Sequence, residues 1–167
     1  MPTVKYQGQY FAIFLDDQGV EYVQTGDGAL IVPLTSRGEV IVCREPAPAF
    51  GNEMIFVLPG GEVDPGEHAL ETANRELQEE IGYRAERLDW LGELHPFAKY
   101  LCTRQNIFLA RDLQPSHLEG DEDYLIAIDH IPLAQVEEWI ATGRLNDANT
   151  IAALFLARAF LIKEAQI

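Results

Sequence analysis

The stretch GGEVDPGEHALETANRELQEEIG, from Gly60 to Gly82, constrains this chain more than any other. A short apolar run, EMIFVLP, precedes it and reads as a strand ending at Pro59. Gly60-Gly61 then mark a tight backbone turn. From about His68 to Ile81, Leu70, Ala73, Leu77 and Ile81 recur at helical spacing as one apolar stripe. Gly82 is placed to stop that helix. No Ser, Thr, Asp or Asn follows Glu67 as a cap, so the start is set by Pro65-Gly66 and the stripe. The same 23 positions hold seven acids and one arginine. Glu76, Glu79 and Glu80 share a helix face beside the stripe. Like charges so spaced cost roughly 0.2–0.5 kcal/mol per pair. Three glutamates alone also suit a solvated acidic face. As a patch they suit a hard divalent cation, because Mg²⁺ takes oxygen ligands and bridges carboxylates to phosphates. Without metal, such crowding raises carboxyl pKa values.

Charge narrows the partners. With 27 acids against 12 bases, the net charge of −15 repels nucleic-acid backbones and anionic membranes. An anionic substrate therefore calls for divalent cations. Cys43 and Cys102 lie in apolar runs, without Cys or His at metal-ligand spacing. They read as reduced, mostly buried thiols of a cytoplasmic protein. The N-terminus shows no signal peptide, and no run reaches the ~18–20 apolar residues of a membrane span.

The rest of the chain fits one α+β domain over residues 1–167, with helices on a mixed sheet. Residues 9–24 read as a hairpin turning at Asp16–Gly19, within an extension over 1–27. ALIVPL and VIVCRE read as a second hairpin, turning at TSRGE. RLDWLGEL, NIFLARDL and YLIAIDHI read as strands, with loops at HPFAKYLCTRQ and QPSHLEGDED. LAQVEEWIAT reads as a short helix ended by Gly143. A longer helix closes the chain, capped by Asp147 or Asn149.

Gly61, five residues, Glu67, seven residues, then Arg75-Glu76-Leu77-Gln78-Glu79-Glu80-Ile81-Gly82-Tyr83 resembles the Nudix box at every fixed polar and glycine position. Tyr83 stands where the family has an aliphatic residue. The resemblance implies a Nudix-type α/β/α sandwich with an extra N-terminal β-hairpin. It implies a hydrolase of a nucleoside diphosphate linked to another group. Glu76, Glu79 and Glu80 would hold Mg²⁺ or Mn²⁺, with a backbone carbonyl near Gly61. Arg75 would pair with Glu67 and orient those ligands, and Gly61 and Gly82 would shape the box.

More weakly, most of residues 28–160 resembles the ADP-ribose and ADP-sugar pyrophosphatase branch, including the DANT helix start. That branch implies a general base in a loop after the box. LEGDEDY supplies Glu119, Asp121, Glu122 and Asp123, of which Glu122 is the candidate; a solvated loop explains these acids equally well. A box glutamate is the base in other members. The branch often has Gln-Tyr-Arg where Arg44-Glu45-Pro46 stands, and Pro96 is out of register with its proline. Arg44, Tyr100 and Arg104 are candidate substrate contacts, for phosphate or for stacking. The branch implies a homodimer through the N-terminal strands; a monomer fits the hairpin nearly as well. Dinucleoside polyphosphates, oxidised nucleoside triphosphates and capped RNA ends are alternative substrates, the last disfavoured by the charge. A non-catalytic nucleotide sensor is the alternative of another class.

Overall fold

The computed structural model describes residues 1–120 and 126–166. Three strands open the chain: β1 (Thr3–Gln7), β2 (Ala12–Leu15) and β3 (Glu21–Gln24). β2 and β3 form the expected hairpin. Asp16 Oδ1 shapes its turn by accepting from the N–H groups of Gln18 and Val20, at 2.9 and 2.8 Å. β1 pairs antiparallel with β2 and is absent from the sequence reading. All five of its residues are exposed, so no buried face marks it.

β4 (Gly28–Pro33), β5 (Glu39–Ala47), β6 (Glu53–Val57) and β7 (Gly60–Glu62) lead into helix α1 (Ala69–Glu80). Then come β8 (Tyr83–Leu94), β9 (Leu101–Cys102), β10 (Gln105–Pro115), β11 (Ala127–Pro132), α2 (Val136–Ala141) and α3 (Ala148–Glu164). β9 is a short strand inside the expected loop, paired in parallel with β3.

The strands sort into sheets ordered β1-β2-β3-β9, β7-β4-β10-β8 and β11-β5-β6. The second is mixed: β4 and β10 run parallel, with Gly28 opposite Gln105. The expected hairpin of β4 with β5 forms its turn but not its ladder. After a bridge at Leu34 and Val40 the two strands part into different sheets. Ile31, Val32, Ile41 and Val42 are all fully buried, so both strands need cover on both faces. β4 finds its neighbours in β7 and β10, and β5 in β11 and β6.

Alternation along these strands builds two cores. Ile31, Ile41, Cys43 and Phe108 meet Ala73, Leu77 and Ile81 of the α1 region. Val32, Val42, Ile107 and Leu109 meet Ala153, Leu154 and Ala157 of α3. Helices thus cover both sides, and the fold is the expected α/β/α sandwich of the α+β class. Asp147, not Asn149, caps α3, accepting from the Thr150 N–H at 2.7 Å. Among the described residues no helix is long and apolar enough to cross a membrane. Both thiols are free, as expected, but Cys102 is exposed and only Cys43 is buried.

Candidate metal and diphosphate site

α1 carries the site, and its buried arc differs from the expected stripe. Ala73, Leu77 and Ile81 are buried, but Leu70 is 51% exposed. Thr72 and Glu76 are buried instead, which turns the arc towards the glutamates. Both are satisfied: Thr72 Oγ1 donates to Glu67 Oε2 at 2.7 Å, and Glu76 Oε1 accepts from Arg75 Nη1 at 2.8 Å. The missing cap residue is replaced by Glu71, whose carboxylate accepts from the His68 N–H at 3.0 Å.

Arg75 organises the acids. Its Nε and Nη2 reach the two oxygens of Glu67 at 3.1 and 3.2 Å, a bidentate pair. Its Nη1 donates to Glu76 and also to Glu79 Oε2, at 2.9 Å. The fork ties the loop after β7 to the helix and fixes two of the three box carboxylates. Arg75 holds the Glu67 carboxyl down at about 2, with Thr72 assisting. Hydrogen bonding to Glu67 holds the guanidinium in its charged form.

Glu80 is the contrast. Burial first, then the charges of Glu45 and Glu76, push its carboxyl up to about 9. Its Oε2 accepts from the Gly60 N–H at 3.3 Å and from the Cys43 thiol at 3.5 Å. Burial, with Glu80 and Glu45 nearby, pushes the Cys43 thiol up as well.

The turn glycines make room for these groups. A Cβ on Gly61 would stand 2.2 Å from Glu76 Oε1, and one on Gly60 would stand 2.2 Å from the Ala29 carbonyl oxygen. The Glu76 carboxylate therefore lies where a side chain at 61 would be. Hard oxygen donors drawn against a bare backbone turn fit a divalent ion such as Mg²⁺. A cleft of about 220 Å³, lined by Gly28, Gly60, Gly61, Glu62 and Gln105, opens beside the turn.

Tyr100 and Arg104 line a second cavity of about 430 Å³, with Tyr22, His95 and Lys99. Arg104 and Gln105 are consecutive, so the start of β10 borders both cavities. Arg104 is also held by Asp27 Oδ2 at 3.4 Å. Arg44 lies elsewhere. Cys43 and Glu45 point to Glu80, so the alternating strand turns Arg44 to the opposite face, over the Phe56 ring. Glu45 is the neighbour of Glu80 that motif reading misses; only the 37-residue separation of Cys43 from Glu80, closed by the fold, reveals that corner.

Glu122, with Asp121 and Asp123, lies outside the described residues. The loop leading to it runs along α1. Leu118 donates its N–H to the Gln78 carbonyl at 3.2 Å, and Gly120 stands against the Glu79 side chain. Glu119 is exposed on that loop. Gly82 ends α1 at φ +72°, in the left-handed region that favours glycine.

A carboxylate-bearing helix behind a Gly-Gly turn, inside an α/β/α sandwich, defines a recognisable class of hydrolase. Residues 24–154 match the NUDIX domain, a span that begins at the last residue of β3. The chain belongs to the Nudix family and is a pyrophosphohydrolase of that family. ADP compounds hydrolase NudE of Escherichia coli K12 is 35% identical over 142 residues, covering 84% of this chain and 75% of that protein. ADP-ribose pyrophosphatase of Bacillus subtilis 168 is 25% identical over 136 residues, covering 80% and 73%. A crystal structure of an ADP compounds hydrolase superposes with a TM-score of 0.80 at 30% identity, covering 99% of this chain and 97% of that one.

Proposed function

We propose that this chain hydrolyses the diphosphate bond of ADP-ribose or a related nucleotide sugar, giving a nucleoside monophosphate and a sugar phosphate. One observation carries the reading: the likeness to an ADP compounds hydrolase extends over 99% of the chain, well beyond the box. Mg²⁺ is the proposed ion, with Mn²⁺ able to replace it. Glu76, Glu79, Glu80 and a backbone carbonyl at Gly60-Gly61 would hold it. Bound there, a divalent ion neutralises phosphoryl oxygens and makes a water nucleophilic near neutral pH.

The chain's own groups supply the rest. Arg75 orients Glu76 and Glu79, and Glu67 holds Arg75. The Gly60 N–H fixes the Glu80 carboxylate. Glu122 is the proposed general base, supported by the placement of the preceding residues Leu118 and Gly120 against Gln78 and Glu79. Tyr100 and Arg104 are the proposed contacts to base and phosphate, supported by the cavity they share. Arg44 faces away from this ensemble and is given no role in it. A second copy of the chain is the proposed partner of the N-terminal sheet, where Val4, Tyr6, Tyr10 and Phe11 are exposed. Two free thiols suit the cytoplasm as the place of action.

The test is hydrolysis of a panel with Mg²⁺: ADP-ribose, other nucleotide sugars, dinucleoside polyphosphates and nucleoside triphosphates, with products separated by chromatography. Turnover of ADP-ribose that is lost in Glu80→Gln supports the reading. Turnover confined to polyphosphates or triphosphates would overturn the substrate assignment. Silence with both Mg²⁺ and Mn²⁺ would favour a substrate outside the panel, or a sensor. Light scattering in the same buffer checks the dimer.

A further inference from the structure

The Nudix box leaves Cys43 and Glu45 without a role. β5 is the central strand of its sheet, and ladders to both neighbours fix Cys43: Val57 lies opposite on β6 and Ile128 opposite on β11. Strand alternation puts Cys43 and Glu45 on one face, and that face meets Glu80. Ligand atoms of Cys43, Glu45 and Glu80 all lie within 4.8 Å of one another. The Cys43 Sγ to Glu80 Oε2 distance is 3.5 Å. A tetrahedral zinc-type ion with bonds of roughly 2.3 Å to sulfur and 2.1 Å to oxygen spans an S···O edge of about 3.6 Å. The observed pair already has that separation.

We propose that Cys43 and Glu45 extend the ligands at Glu80 into a mixed sulfur–oxygen site that takes thiophilic divalent ions, Zn²⁺ and Cd²⁺. The proposal rests on the reading that Glu80 holds the catalytic ion. Mg²⁺ uses the oxygens of α1 and ignores sulfur, whereas zinc and cadmium are drawn to it. Cys43 is fully buried, while Glu45 and Glu80 are partly exposed, so the ion enters from the carboxylate side. On binding, the S–H bond breaks, a metal–sulfur bond forms, and the proton leaves to solvent. Zinc and cadmium then compete with Mg²⁺ for Glu80 through a donor that lies outside the box.

The experiment is titration of the full chain carrying Cys102→Ser with Cd²⁺, followed by ultraviolet absorption. Mn²⁺ binding is measured in parallel by electron paramagnetic resonance. A sulfur-to-cadmium charge-transfer band that saturates at one equivalent is expected. Adding Cys43→Ser to the Cys102→Ser chain abolishes the band, while Mn²⁺ still binds. Absence of the band in Cys102→Ser with Mn²⁺ bound normally would overturn the proposal and leave the catalytic reading standing. Loss of both ions would overturn both. Circular dichroism checks folding. Should the double variant fail to fold, Glu45→Gln on the Cys102→Ser background decides: about tenfold weaker Cd²⁺ binding supports the site, and unchanged binding overturns it.

Discussion

Two charged clusters lie on opposite sides of the central strands, and they are balanced differently. On the α3 side, Arg87 and Arg111 face Asp89 and Glu164, two cations against two anions. Arg111 reaches Glu164 at 2.6 Å and Asp89 at 2.5 Å, and Arg87 reaches them at 2.7 and 3.0 Å. On the α1 side a single cation, Arg75, meets Glu67, Glu76 and Glu79, with Glu80 beside them. The pKa shifts differ in the same sense, with burial acting first on Glu80 and hydrogen bonds to the arginines acting first on Glu164. Arg111 and Arg87 hold Glu164 down at about 2. Arg75 spends its bidentate contact on Glu67, and Glu80 is left up at about 9. The first cluster closes on itself and ties the end of α3 to β8 and β10. The second keeps surplus negative charge beside a glycine turn, which stability alone does not explain and a bound cation does.

The largest effect should come from removing that surplus. Glu80→Gln should lower turnover by roughly a thousandfold, in the range of lost acid–base or ligand function. The folded protein should lose nothing, because burial first, and then the charges of Glu45 and Glu76, already disfavour a charged carboxylate at this position. Steady-state kinetics and thermal unfolding check the two halves. A variant that unfolds at a markedly lower temperature would show that Glu80 is a structural residue.

Arg75→Ala tests the other side of the imbalance. It leaves three partly buried carboxylates without their shared countercharge. A loss on the order of 2 kcal/mol is expected from charged hydrogen bonds of this kind. Mg²⁺ should recover part of it, since an ion at 100 times its Kd adds about 2.7 kcal/mol. Urea unfolding with and without Mg²⁺ measures both. Equal loss in both conditions would mean that Arg75 acts only through Glu67.

Next in size is the pH dependence of the metal-free protein. The folded pKa of Glu80, about 9, lies above its ordinary 4.5. Between those values the folded state binds the extra proton, so this contribution to stability falls as pH rises from about 4.5 to 9. Urea midpoints across that range should decline, and Glu80→Gln should flatten the decline. A wild-type slope that survives the substitution would assign it to another group.

Much of this contrast is legible in the sequence, though unevenly. The acids of α1 and their arginine are local: Glu67 to Glu80 fall within one fixed spacing, so the motif places them on one helix. The helix limits follow from Pro65-Gly66 and Gly82, although a backbone-capping Glu71 stands in for the usual N-cap. Leu70 misleads because periodicity counts an apolar residue without knowing whether a strand lies beneath it. β4 and β5 look like a hairpin because the turn between them is real; their separation depends on strands supplied far along the chain. The α3-side cluster joins Arg111 to Asp89 across 22 positions and to Glu164 across 53, and no local pattern encodes it. Glu45 and Cys43 reach Glu80 by the same kind of long-range closure.

The smallest effect sharpens the comparison from the balanced side. Glu164→Gln removes one of two anions and leaves Asp89 to answer both arginines. The Glu164 side chain is 38% exposed, so water and salt screen part of the loss. Its folded pKa of about 2 lies below the ordinary 4.5, so its contribution is full above 4.5 and is lost as pH falls towards 2. The substitution should therefore flatten part of the acid-side loss of stability, the opposite end of the scale from Glu80. It should lower the neutral-pH unfolding temperature by less than Arg75→Ala does, and leave kcat/KM unchanged. Kinetics on the panel substrate and thermal unfolding from acid to neutral pH check this. A fall in kcat/KM would mean that the end of α3 communicates with α1 through the shared strands, and that the two clusters are not independent.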